Sequence, residues 1–256
     1  MKYNYEELEK EIMKELYVSK DDSSLMVALY DQKVDLYPLT FDGENPKLVE
    51  DIGNSFLLFF NTVCNNENFD LTNFRANLNK NLVIGVWQKN VLPDSGTTIY
   101  NENKNLFGIF ADFNLVSRGV IFHELFHYAF RGDKNNMFGR GLNEGYTEAL
   151  THRYFQKSKL AYPDNVYYAL ELEKIIGQDI MEKAYSKGDI SIIKNLFDDS
   201  SLKMFERINE KLDLLLGFYY RSVNGKNKAR DVLKVQKAKE ELDSYLDILN
   251  SHKHRL

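Results

Sequence analysis

The sequence has little cysteine, no excess of basic residues and no long apolar run, and each shortage excludes a class of protein. Its one cysteine, Cys64, cannot form an internal disulfide or a thiolate metal cluster, so any metal would depend on nitrogen and oxygen ligands. Lys and Arg number 33 against 38 Asp and Glu, which argues against the basic surface that nucleic-acid binding needs. The 256 residues are 43% hydrophobic and 28% charged, which is typical of a globular protein.

The apolar stretches are too short to cross a bilayer. The longest, 56–60 and 214–220, fall far below the roughly 18 residues that a membrane-spanning helix needs. The N-terminal stretch also lacks the apolar core of a secretory signal. We therefore expect a cytoplasmic protein with no membrane or nucleic-acid partner, and the sequence does not indicate its oligomeric state.

The pattern of the chain changes near residue 115. Before this point we predict helices over 5–17 and 55–63, and strands over 26–30, 82–87, 97–100 and 106–113. After it we predict helices alone, including a charged packing helix over 226–250 and helix boundaries at Gly132, Pro163, Gly177, Gly188 and Asn224-Gly225. The predicted fold is α+β, with an N-terminal α/β lobe containing a small mixed sheet over 1–115 and a helical lobe over 116–256.

Two histidines interrupt an apolar helical pattern at 120–130. His123 and His127 are four residues apart, so on a helix their Cβ atoms would lie about 5–6 Å apart on one face. Both imidazoles could then bind one zinc ion, and a catalytic zinc site takes three protein ligands. Glu124 is offset by about 100° around the helix, so we expect it to act as general base on a metal-activated water. The alternative is a pair of hydrogen-bonded core histidines beside a surface glutamate.

The third ligand has three candidates, Asp133, His152 and Glu144. Asp133 would need a glycine turn at position 130, which is occupied by Phe130. His152 would leave Glu144 and Glu148 without a role. We therefore predict Glu144 as the third ligand.

The segment around Glu144 has the pattern of a second helix. Asn143 is a suitable N-cap for a helix running to about Gln156, which would place Glu144 in the first turn. Glu148, one turn further along, could accept the outer N–H of a metal-bound imidazole. The alternative for Glu148 is an ordinary exposed carboxylate.

The motif pair HELFH (123–127) and NEGYTE (143–148) resembles the glutamate-zincins, the thermolysin-like superfamily, whose pattern is H-E-x-x-H followed by a helix carrying N-E-x-x-S/T-D/E. The resemblance covers about residues 116–156. It implies a zincin-like fold and a zinc metallopeptidase with one Zn²⁺ per chain and a peptide or protein substrate. The implied roles are metal ligand for His123, His127 and Glu144, general base for Glu124, and orienting partner of the first histidine for Glu148. The gap between the motifs is slightly shorter than in thermolysin, so we expect the loop 131–142 to differ.

The resemblance also implies a substrate-binding strand and a side chain that stabilises the oxyanion. The segment 106–114 matches the edge strand that pairs with an extended peptide, and a buried core strand is the alternative. Tyr167, Tyr168 and His152 are candidate oxyanion donors, although no motif selects among them and packing roles are the alternative. Two other functions stay open: a zincin-like binding or regulatory protein without turnover, and a zinc amidohydrolase acting on a non-peptide substrate.

The choice between Glu144 and Asp133 can be tested by zinc titration. We expect Glu144→Ala to weaken zinc binding by more than the roughly 10 to 100-fold that loss of a supporting partner costs, because a direct ligand is removed. Asp133→Ala should leave the zinc dissociation constant nearly unchanged. A larger loss for the Asp133 variant than for the Glu144 variant would mean that the third ligand was chosen wrongly.

Overall fold

The computed structural model describes residues 55, 58–78, 81–87, 96–101, 106–112, 119–132, 138–156, 160–223, 225 and 229–252. The helix predicted over 5–17, the strand predicted over 26–30 and Asp133 lie outside the described residues.

The described elements are numbered here in chain order. They are α1 (Thr72–Leu78), β1 (Asn81–Trp87), β2 (Gly96–Asn101), β3 (Leu106–Asp112), α2 (Val120–Phe130), α3 (Arg140–Phe155), α4 (Pro163–Ile176), α5 (Gln178–Lys187), α6 (Ser191–Lys194), α7 (Asp199–Val223) and α8 (Ala229–His252). Residues 58–64 are also helical, in agreement with the helix predicted over 55–63. Among the described residues, none of these helices is long and apolar enough to cross a membrane.

The three strands form one sheet in the order β1-β3-β2. β3 is parallel to β1 and antiparallel to β2, so both of its sides are hydrogen-bonded. The prediction that 106–114 forms an edge strand is therefore wrong, because β3 is the central strand of the described sheet. Within the residues that the structure describes, β2 lies at an edge.

The predicted fold class needs a correction, because helices dominate the described part of the chain. The strands hold 7, 6 and 7 residues, whereas α7 and α8 alone hold 25 and 24. The long amphipathic segments after residue 138 bury their apolar faces on other helices, so they add helix without adding strand. The described residues are thus predominantly helical with one small sheet, and the α+β assignment is not retained.

The chain divides into two compact units. One contains Leu71–Arg131 and the described residues before Asn68, and the other contains Asn68–Asp70 and Gly132 onwards. α2 belongs to the first unit because it packs on α1, β2 and β3. The sequence-based division, at residue 115, instead placed α2 with the helices that follow it.

An aromatic cluster forms the core of the first unit. Phe59, Phe74 and Phe126 are almost completely buried. The ring of Phe59 meets Phe126 edge to face at 5.0 Å and Phe74 at 6.1 Å, an arrangement that aromatic quadrupoles favour. The buried face of α2 is thereby joined to the helical residues 58–64 and to α1.

A close backbone contact between α3 and α7 organises the second unit. A Cβ on Gly141 would lie 2.2 Å from the carbonyl oxygen of Leu212, so only glycine allows this approach. Asn165 on α4 donates from Nδ2 to the carbonyl oxygens of both residues, at 3.1 and 2.8 Å. α3, α4 and α7 are therefore held together by one buried amide.

The start of α3 differs from the prediction. The helix begins at Arg140 and Gly139 is its N-cap, so Asn143 lies inside the helix and does not cap it. The Gly141 N–H donates to the Asp213 carboxylate on α7 at 2.6 Å. An unpaired N–H of the first helical turn is thus satisfied from another helix, which a local capping pattern cannot reveal.

The helix predicted over 226–250 is observed as α8, and it packs on α7. The apolar side chains that it buries are Ala238, Leu242, Leu246 and Leu249. Their spacing of three to four residues forms one apolar stripe along the helix. The prediction of a packing helix is therefore confirmed for this segment.

The close contact between α3 and α7 predicts opposite effects on stability for two glycine substitutions. Gly141→Ala should lower the free energy of unfolding by about 1–3 kcal/mol or more, because the added methyl group meets backbone that cannot move away. Gly217→Ala is the control, since its added Cβ has only Arg221 Nη1 nearby, at 3.7 Å. This variant should raise the free energy of unfolding by roughly 0.5–1 kcal/mol, the usual gain over glycine in a helix interior. Urea denaturation measures both, and equal effects would contradict the described contact.

Candidate metal centre

Two imidazole rings meet on α2, as the four-residue spacing predicts. Nε2 of His123 and Nε2 of His127 lie 3.1 Å apart. Two nitrogens bound to one tetrahedral zinc at about 2.0–2.1 Å would be separated by about 3.3 Å. His123 is buried, with 5% of its surface exposed, and His127 is half-buried. The pair therefore has the spacing and the partial shielding of two ligands of one ion.

The C-terminal end of α2 is anchored by a side chain from α1. Asn77, which is buried, donates from Nδ2 to the carbonyl oxygens of Tyr128 and Arg131 at 2.8 and 3.2 Å. The Tyr128 hydroxyl in turn donates to the Asn77 carbonyl oxygen at 3.1 Å. Carbonyls at a helix end lack partners within the helix, so this reciprocal pair both caps α2 and fixes its position along its axis.

Glu124 is also buried, with 5% of its surface exposed. The Thr98 hydroxyl on β2 lies 2.8 Å from its Oε2. Such a contact stabilises a carboxylate that has left bulk water. Thr98 was not among the site residues predicted from the sequence, because β-strand residues in a turn-rich segment give no signal for a contact with a helix that begins about twenty residues later.

The predicted third ligand, Glu144, lies on α3 in the second unit. Its role as the third ligand beside His123 and His127 stays a prediction. Glu144 is half-buried and lies in the second turn of α3, since that helix begins at Arg140. The set of two imidazole nitrogens and one carboxylate oxygen suits zinc.

Glu148 is completely buried on α3, which corrects the alternative of an exposed carboxylate. Its Oε1 accepts a hydrogen bond from the backbone N–H of Ala161 at 2.7 Å. A buried carboxylate is retained only where hydrogen bonds or charges compensate its lost hydration. Its predicted bond to the imidazole of His123 stays a prediction.

A buried polar network holds α3 to the helices that follow it. The Arg153 guanidinium contacts Glu173 at 2.5 Å and Glu182 at 2.8 Å, and the Tyr146 hydroxyl donates to Glu173 at 2.5 Å. Although burial raises the pKa of the Glu182 carboxyl, hydrogen bonds outweigh burial and hold this pKa below its ordinary value; the donors are Tyr154, Asn68, Gln178 and Arg153. The charges are thus paired, and α3 carries Glu144 on a rigid support.

The three candidate oxyanion donors differ in their exposure and in the residues that they contact. Tyr168 is buried and its hydroxyl donates to the Lys239 carbonyl oxygen at 3.2 Å, so this hydroxyl serves the packing of α4 on α8. Tyr167 is 54% exposed, and its ring contacts Tyr168. His152 is exposed, and it lies two helical turns from Glu144 on α3. The described contacts therefore support the packing alternative for Tyr168, and an oxyanion role for Tyr167 or His152 stays a prediction.

No protein-family model, curated protein or solved structure matches this chain. The likeness to the glutamate-zincins accordingly depends on the two quoted motifs, and it stays a prediction.

The two roles of Glu148 can be separated by two substitutions. Glu148→Gln keeps an oxygen for the Ala161 N–H, so the free energy of unfolding of the zinc-free protein should change by less than about 1 kcal/mol. Loss of the negative charge should raise the zinc dissociation constant roughly 10 to 100-fold if Glu148 supports a metal-bound imidazole. Glu148→Ala leaves the N–H without its acceptor and should cost a further 1–3 kcal/mol or so in stability. Unchanged zinc affinity in the Gln variant would reduce Glu148 to a purely structural residue.

Proposed function

We propose that the protein is a zinc-dependent metallopeptidase. The observation that carries this proposal is the pair of imidazole nitrogens of His123 and His127, 3.1 Å apart on α2, with the buried Glu124 between them in the sequence. Structural zinc sites are closed by four protein ligands, whereas catalytic sites have three and an open position. With Glu144 as the predicted third ligand, the set has three members, which favours a catalytic site over a structural one.

The ligand residues would hold one Zn²⁺ per chain. When bound, the ion supplies Lewis acidity that polarises a carbonyl group and makes water more acidic. Both imidazoles must offer an unprotonated nitrogen and Glu144 must be ionised, so binding weakens as the pH falls and these groups take up protons. We infer that Glu148 fixes the ring orientation of His123 through its outer N–H.

Glu124 is the proton carrier in this proposal. Its carboxylate accepts a proton from the water that attacks the peptide carbonyl, and afterwards passes the proton to the leaving amine. Burial of Glu124 with a hydrogen bond from Thr98 keeps the carboxylate in a defined place. A glutamate with only a structural role would not need to stand next to a metal ligand. The peptide substrate and the cytoplasmic location belong to the same proposal.

The role of Glu124 is tested by Glu124→Gln. This variant keeps the size and polarity of the side chain but removes the base, so we expect full zinc content and a loss of peptidase activity of about 10²-fold or more. The measurements are metal analysis and cleavage of a peptide library digested from a whole proteome. Glu206→Gln is the matched control, because this glutamate is 52% exposed on α7.

The other possible results of these measurements each contradict a part of the proposal. Unchanged cleavage in the Glu124 variant would overturn the mechanism, and loss of zinc together with activity would give Glu124 a structural role. A zinc-loaded wild type that cleaves no peptide would contradict the peptidase proposal. Turnover of small amides would then favour a non-peptide amidohydrolase, and absence of turnover would favour a binding protein.

A further inference from the structure

Strand β2 touches the Glu124 carboxylate at two points. The first is Thr98, whose hydroxyl lies 2.8 Å from Glu124 Oε2 and 2.9 Å from the Glu124 carbonyl oxygen. A hydroxyl has one proton, so it can donate to only one of these oxygens at a time. The charged acceptor forms the stronger hydrogen bond. Donation to Oε2 is therefore favoured while the carboxylate is ionised.

The second point of contact is Gly96, two residues earlier in the strand. Residues i and i+2 of a strand lie on the same face, so Gly96 and Thr98 both approach α2. A Cβ on Gly96 would lie 2.8 Å from Glu124 Oε1 and 2.5 Å from Val120 Cγ1. The strand backbone thus lies directly against the carboxylate, and a larger residue at position 96 would displace it.

We propose that Thr98 is a positioning residue for Glu124, so that β2 sets the direction in which the Glu124 carboxylate points. The torsion that rotates a glutamate carboxylate is broad and has no sharp staggered minimum. A hydrogen bond to one named oxygen, with backbone packed beside the other, removes that freedom. This inference depends on the proposed function, since orientation affects a rate only if Glu124 carries the proton.

The rival explanation is that Thr98 simply ties β2 to α2. In that case its hydrogen bond to the Glu124 carbonyl oxygen would matter, and its loss would reduce stability without a specific effect on turnover. The two explanations differ in kcat, because proton transfer depends steeply on the placement of the base. They also differ in where the Glu124 carboxylate lies once the hydroxyl is removed.

The test compares Thr98→Val with Thr98→Ser in the full-length, zinc-loaded protein. Valine keeps the shape of threonine without the hydroxyl, and serine keeps the hydroxyl. We expect Thr98→Val to lower kcat roughly 10 to 100-fold, with KM changed by less than about threefold and zinc content unchanged. Thr98→Ser should retain kcat within about threefold of the wild type. Urea denaturation of both variants verifies that they are folded.

Two kinetic results would overturn the proposal: a Val variant with wild-type kcat, or a Ser variant as slow as the Val variant. Crystal structures of the wild type and both variants provide a readout that does not need activity. The Glu124 carboxylate should rotate in the Val variant and keep its position in the Ser variant. If the wild type cleaves no peptide, the proposed peptidase function fails, and these structures still decide the matter: an unmoved carboxylate in the Val variant would refute positioning by Thr98.

Discussion

Two imidazole rings on the buried side of α2 impose the constraint on which the rest of the site depends. Polar rings removed from water need partners, and His123 and His127 have their Nε2 atoms 3.1 Å apart. If either histidine stood one position earlier or later in the sequence, its side chain would be rotated by about 100° around the helix. The two rings could then no longer bind one ion. The helix is held by the Asn77 cap at its end and by Phe126 in the aromatic cluster, as well as by its contacts with β2 and β3.

The unit that contains Glu144 also has buried polar groups that need partners, and here these groups are charged. Its buried carboxylates, Glu173 and Glu182, share the guanidinium of Arg153. A buried charge without such a partner would lower the free energy of unfolding by about 3–5 kcal/mol. The glycine at position 141 removes the side chain that would keep α3 away from α7. Dense packing around a satisfied polar network makes α3 a rigid support for Glu144, as its proposed role as a metal ligand requires.

Local patterns predicted the elements better than they predicted their arrangement. Apolar spacing indicated α2, and turn residues bounded the segments that became β1, β2 and β3 to within one or two residues. The predicted α+β fold overestimated the share of strands. The predicted edge strand corresponds to β3, which is the central strand of the described sheet. Strand order arises from pairing between distant segments, so residue composition within one strand contains little information about its neighbours. The start of α3 was predicted too late because its N-terminal partner, Asp213, is 72 residues away from Gly141.

The sequence by itself determined the features that depend on helix geometry, which are the shared face of His123 and His127 and the offset of Glu124. These follow from 3.6 residues per turn and from the chemistry of the side chains. Only the tertiary structure decided that Thr98 meets the Glu124 carboxylate across 26 residues of chain. No local rule specifies such a contact, because it forms only when a strand edge and a helix pack together, and the atoms that meet are chosen by the packing of the whole unit.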